Sequence, residues 1–172
     1  MNIQANKSRL EHLDKKAASY IKKQIAFAQK QLNKIHTEIN ELISSSKPLS
    51  NKREIIKSFK GIGEKIANVL LINLPELGLI KNKEIASLVG LAPKTKESGK
   101  KIYKAYISGG RFFVKKVLYM AALVASRYNP KIQKFYTKLV NSGKPKKLAL
   151  TAIMRKIIVI LNSMLKNSSF FA

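Results

Sequence analysis

Ser98 lies in the run Lys94-Thr95-Lys96-Glu97-Ser98-Gly99-Lys100-Lys101, where a hydroxyl sits beside a glycine in a lysine-rich stretch. A serine in such an electropositive loop can meet a phosphodiester whose charge the lysines offset, which makes Ser98 a candidate nucleophile. The same composition also suits a plain solvated turn. Nothing nearby would activate the hydroxyl. The two histidines, His12 and His36, both fall in the N-terminal stretch, and there is no cysteine. No Ser-His or Cys-His pair therefore accompanies the basic region. Metal-dependent nucleases hold their ions with clustered carboxylates, yet Asp14 is the single aspartate and the glutamates are scattered. The expectation is a chain that binds no metal or cofactor by itself.

Two glycine elements could grip phosphate instead. In Ser58-Phe59-Lys60-Gly61-Ile62-Gly63-Glu64-Lys65-Ile66-Ala67-Asn68-Val69-Leu70, a Gly-Ile-Gly turn opens an apolar-faced helix. Gly61 and Gly63 can take positive φ and carry no Cβ, so a phosphate can approach the backbone N–H groups at the start of the helix. Ile62 would anchor the turn in a core while Lys60 and Lys65 add charge. The run reads as a helix-hairpin-helix that grips a nucleic-acid strand without reading its bases, or else as an ordinary helix-helix turn. Ile107-Ser108-Gly109-Gly110-Arg111 is the second element. Ser108 reads as an N-cap, Gly109 and Gly110 as a nest for phosphate, and Arg111 as a bidentate contact; the alternative is simply a capped helix start. Tyr103 and Tyr106 suit either base stacking or packing of a short strand.

The chain has 34 Lys+Arg against 9 Asp+Glu, a formal net charge of +25 over 172 residues. Such a balance implies a polyanionic partner, and DNA is the natural one. An anionic membrane competes in principle. The best spanning segment, Leu148 to Leu165, is broken by Arg155 and Lys156, short of the roughly 20 uninterrupted apolar residues needed. Met1-Asn2-Ile3-Gln4-Ala5-Asn6 does not resemble a signal peptide, and the lack of cysteine suits a cytoplasmic protein.

Positioning these residues falls to helices. Leu10, Leu13, Ala17, Ile21, Ile25, Ala28, Leu32, Ile35, Ile39 and Leu42 recur at spacings of three and four, the seam of a long coiled-coil-like helix. Such a seam must be buried against another copy, another helix or another domain, so a homo-oligomer is expected. Ser44-Ser45-Ser46-Lys47-Pro48 breaks the pattern. The expected division is an arm over 1–46, a linker over 47–50, a compact helical domain over 51–166 and a tail over 167–172. Within the domain, helices are expected up to the Gly-Ile-Gly turn, from Gly63 to before Pro75, and over 82–89 ending at Gly90. Further helices are expected over 112–127, 131–141 and 146–166. Between them 94–107 is a loop that can hold a short strand pair. The fold class is mainly α.

Taken in order, SFKGIGEKIANVLL, EIASLVGLAPKTKESGKK, ISGGRFFVKKVLYMAALVA and NPKIQKFYTKLVNSGKPKKLALTAIMRKIIVILNSML resemble the C-terminal transposase domain of the insertion-sequence 110/116/902 class. The similarity spans about Ser50 to Lys166, and the upstream helix resembles that family's coiled-coil linker. The resemblance implies that Ser98, in a Glu-Ser-Gly context after a Gly-Leu-x-Pro element, is the recombination nucleophile. It also implies an N-terminal ribonuclease-H-like domain with four metal-binding acids, which this sequence lacks, as the source of magnesium. A guide RNA and a full-length transposase are further implied partners. A truncated or split transposase is the resulting expectation, with a non-enzymatic nucleic-acid-binding remnant or a junction-binding protein as alternatives.

Overall fold

The computed structural model describes residue 3, residues 14–94, 97, 98, 101, 102 and 106–171, with the backbone alone at 97, 98, 101 and 102. Its elements run α1 (Lys15–Ser45), α2 (Lys47–Ser58), α3 (Glu64–Asn73), α4 (Asn82–Leu88), β1 (Glu97–Ser98), β2 (Lys101–Ile102), α5 (Phe112–Tyr128), α6 (Pro130–Asn141) and α7 (Lys146–Lys166). The protein is thus mainly helical, as its periodicities predict. The chain divides into two compact units, Met1–Lys47 and Pro48–Ala172.

The first unit is one long helix in its described part. Asp14 caps α1 by accepting the Ala17 N–H at 2.7 Å, which satisfies a donor left over at the helix start. Along the seam Ile25 is buried, whereas Leu32, Ile35 and Leu42 are exposed. Leu10 and Leu13 lie outside the described residues. The break after α1 is confined to Ser46. Residues 47–50, expected as a linker, are the first turn of α2, because Pro48 sits where its missing N–H costs no helical bond.

In the second unit, α5 packs against α3, α6 and α7, and α7 also receives α4 and α6. Small residues on α5, Ala121, Ala122 and Ala125, let these helices approach closely and are fully buried. From α7 come Ile153, Ile157, Ile158 and Leu161, also fully buried. By length and composition α7 could cross a membrane, contrary to the expectation drawn from Arg155 and Lys156, but half of its apolar window is buried within this fold. Its hydropathy is that of a core helix.

Asn162, almost fully buried on α7, pins the loop between α3 and α4. Its amide oxygen accepts from Gly78 N–H at 2.8 Å, while its NH2 donates to Ile80 O at 2.9 Å and Asn82 Oδ1 at 2.8 Å. The described part of the expected tail is no loose end: Phe171 stacks on Phe59 with ring centroids 4.6 Å apart, and its N–H donates to Ser58 Oγ at 2.9 Å.

Candidate functional site

The Gly-Ile-Gly turn joins α2 to α3 over residues 59–63. Phe59 and Ile62 are buried, leaving Lys60, Gly63, Glu64 and Lys65 at the surface. The buried Asn129, N-cap of α6, holds the turn by donating to Lys60 O at 3.2 Å while its Oδ1 accepts from Ile132 N–H. The two glycines differ in role. Gly61 has φ +118, and a Cβ there would come within 2.9 Å of Ala125 Cβ, so this glycine lets the turn rest on α5. Gly63 instead has φ −91 and is the N-cap of α3, with open space around the position a Cβ would take. Positive φ is therefore needed at Gly61 alone. Without a capping side chain on Gly63, the α3 N-terminus keeps backbone donors and the positive end of its dipole turned to the exterior, between Lys60 and Lys65. Glu64 sits in that first turn and lies 3.6 Å from the Arg53 guanidinium.

Ser98 is placed by a hairpin. β1 and β2 pair antiparallel, Glu97 opposite Ile102 and Ser98 opposite Lys101. Ser98 is thus the last residue before a two-residue connection, Gly99 and Lys100, which lies outside the described residues, as does Tyr103. Nearer the root, Lys94 N–H donates to Tyr106 O at 2.8 Å, and Tyr106 N–H to Lys94 O at 3.1 Å. Below that the two arms are clasped glycine to glycine. A Cβ on Gly90 would lie 2.2 Å from Gly109 O, and one on Gly110 would lie 2.3 Å from Gly90 N and from the Val89 carbonyl. Only a pair of glycines allows such contact, and both have positive φ, +76 in each case. Gly90 serves twice, since it also ends α4 by donating to Ser87 O while Leu91 N–H donates to Ala86 O.

The second glycine element is therefore mostly internal. Gly110 is consumed by the clasp, and Gly109 O accepts from Lys115 Nζ at 2.6 Å. Ser108 is not the N-cap: α5 starts at Phe112, with Arg111 in the capping position. Arg111, expected to reach phosphate, faces the protein. Its guanidinium meets the Glu76 carboxylate through two nitrogens, at 2.7 and 2.5 Å, and also donates to Asn73 O at 2.7 Å. This fork closes the carbonyl end of α3 and ties it to the start of α5. The hydrogen bonds from Arg111 hold the Glu76 carboxyl below the usual carboxylate range, and Glu76 in turn raises the affinity of Arg111 for its proton.

Of the lysines singled out in the sequence, Lys60 and Lys65 are exposed beside the turn. Sequence reading missed Glu76, Asn129 and the pairing of Gly90 with Gly110. Their signals were a lone acid after Pro75, an Asn before Pro130, and a helix-ending glycine whose partner is twenty residues away. Among the described residues no three acidic or histidine side chains gather to hold a metal.

Residues 53–137 match the transposase IS116/IS110/IS902 family. The chain is 29% identical over 170 residues to pilin gene-inverting proteins of Moraxella bovis and Moraxella lacunata, covering 96% of this chain and 52% of each relative. Over 143 residues it is also 29% identical to the insertion element IS110 uncharacterized 43.6 kDa protein of Streptomyces coelicolor, covering 82% of this chain and 34% of that one. The chain spans about half the length, or less, of these relatives.

Proposed function

We propose that this chain binds DNA through its basic surface and supplies Ser98 as the nucleophile of a recombination site completed by groups from outside it. The observation that carries the reading is the position of Ser98 in β1, beside the two-residue connection of a hairpin rooted in the core of a transposase-family domain. In the proposed step Ser98 Oγ attacks phosphorus, an Oγ–P bond forms and one P–O bond to a sugar oxygen breaks. The departing alcohol gains a proton, and the serine proton passes to a base. That base would be a group beyond this chain, where carboxylates would also hold any magnesium, since the described residues assemble no such cluster. Lys60, Gly63 and Lys65 would contact phosphate along the turn, with Lys100 and Lys101 at the serine. Arg111 is left out of the contact set because Glu76 and Asn73 engage it.

The exposed seam residues Leu32, Ile35 and Leu42 support self-association through α1, or pairing with a full-length transposase. A guide RNA would be a second polyanion for a chain of +25. The scattered acids also favour a narrower reading, a remnant that binds nucleic acid without chemistry. Two measurements separate the readings. If about five or six phosphates are neutralised, log affinity for duplex DNA should fall against log salt with a slope of roughly −5; a flat dependence would remove DNA binding altogether. The purified chain should neither cut DNA nor form an adduct by itself. Combined with a full-length family transposase whose own serine is replaced, it should yield a denaturation-resistant DNA adduct that Ser98→Ala abolishes. An adduct that survives that change would exclude Ser98 as the nucleophile.

A further inference from the structure

Among the described residues, helix α5 buries one side and leaves the other exposed. Val114, Leu118, Ala121, Ala122 and Ala125 point into the core. At about 100° per residue the opposite side carries Phe112 and Tyr119 on one edge and Phe113, Met120 and Val124 on the other, while the exposed Tyr128 lies at the helix end on the flank beyond Val124. Phe112, Phe113 and Tyr128 are 70%, 68% and 63% exposed. Lys116 and Arg127, both exposed, lie between the two edges. The pair is eleven residues apart, about 16 Å along the axis. Phe112 and Phe113 meet edge to face with centroids 6.1 Å apart, so they present rings in two orientations.

The occupant of such a face must offer apolar surface and negative charge together. A protein-covered face would be expected to keep cations off its midline, where Lys116 and Arg127 lie. Duplex DNA offers charge, but its base faces are closed in the stack. Unpaired nucleotides offer both, π faces for the aromatic rings and phosphates for the cations. We propose that the open face of α5 is a docking surface for single-stranded DNA, with bases stacked on Phe112, Phe113, Tyr119 and Tyr128 and phosphates drawn to Lys116 and Arg127. The inference rests on the DNA-binding reading above and assigns a second, strand-selective surface to it. Recombination exposes unpaired strands wherever a nicked duplex opens, and this face would hold one on the unit that carries Ser98.

The test uses the full chain with fluorescently labelled dT20, a blunt 20-base-pair duplex and rU20, comparing the natural protein with the Phe113→Ala, Tyr128→Ala double variant. Both side chains are exposed, so the melting temperature should not move. Affinity for dT20 should fall about a hundredfold, about tenfold for each ring removed, while duplex affinity holds. The salt slope for dT20 should stay the same, because rings and not charges are lost. Unchanged dT20 affinity with duplex binding intact would overturn the proposal and leave the DNA reading standing. Failure of the natural protein to bind either DNA would remove both. A variant-sensitive preference for rU20 over dT20 would overturn the choice of DNA. Loss of binding to phosphatidylserine vesicles, or a fall in sedimentation mass, with dT20 affinity unchanged would assign the face to a membrane or to a second copy instead.

Discussion

Replacing Gly110 by alanine, with Gly109→Ala as its control, isolates the clasp that roots the serine hairpin. Both glycines have left-handed backbone, φ +76 and +64, so both substitutions incur the cost of putting a Cβ there, about 1–2 kcal/mol. They differ in what the new methyl meets. At Gly109 there is open space; at Gly110 it would stand 2.3 Å from Gly90 N, Val89 C and Val89 O. Those are backbone atoms at the end of α4, with no side chain to rotate away. Separating the strands should add about 1–3 kcal/mol, for a total of about 2–5 kcal/mol at Gly110. In a domain of this size about 1 kcal/mol corresponds to about 4 °C in melting temperature, so Gly109→Ala should lower it by about 4–8 °C and Gly110→Ala by about 8–20 °C. Thermal unfolding followed by circular dichroism reads both. Equal losses in the two variants would refute the clasp, since strain alone would then account for everything.

Gly63→Asp should separate stability from binding. The carboxylate can cap α3 in open space and raise stability by up to about 1 kcal/mol, yet it places negative charge where phosphate is expected, so duplex affinity should drop while the melting temperature holds or rises. Gly61→Val should instead lower the melting temperature, because its Cβ meets Ala125; a cold-stable Gly61→Val protein would show that the turn can lift from α5. For the Glu76–Arg111 pair the sign follows from the lowered carboxyl value: the contribution is present above the unfolded value near about 4.3 and is lost as pH falls through the lower folded value. Glu76→Gln should therefore melt lower than the natural protein at neutral pH and lose less on acidification, as urea titrations at several pH values would reveal. Deleting residues 1–46 should turn an oligomer at moderate salt into a monomer by analytical ultracentrifugation; a natural chain that is monomeric throughout would count against the seam.

Helix ends were legible because punctuation marks them locally. Pro75 follows α3, Gly90 ends α4, Asn129-Pro130 divides α5 from α6, and Gly143 precedes α7. Phosphate roles for glycine were harder to read, since positive φ serves a ligand and a neighbouring backbone equally well. Gly61 rests on Ala125 and Gly110 on Gly90, contacts between residues distant in sequence that no local pattern reports. Arg111 was misjudged for the same reason: a bidentate fork matches a carboxylate as well as a phosphate, and Glu76 is 35 positions away. The docking of Phe171 on Phe59 is again tertiary information. Ser98 was singled out by its company of lysines, whereas its placement in a paired strand needed the backbone.

Positioning and activation of the proposed nucleophile have different physical sources. Among the described residues, two residue pairs and one isolated bridge hold too few hydrogen bonds to fix a hairpin in water, so its orientation depends on where its arms leave the core. The Gly90–Gly110 contact fixes one side of that exit. On the same arm, the fork from Arg111, one residue beyond Gly110, to Glu76 and Asn73 fixes the start of α5. Neither device bears on the acidity of a serine hydroxyl, and no imidazole or carboxylate cluster among the described residues does so. On the proposed reading this chain therefore orients the nucleophile and a second component activates it. Gly110→Ala and Ser98→Ala should both abolish the adduct, but only the first should do so through loss of structure, while binding that depends on distributed charge survives Ser98→Ala unchanged. If Glu76→Gln, which loosens the fork without touching the glycines, leaves the adduct at full yield in a folded protein, then the clasp alone aims the serine and the fork serves stability only.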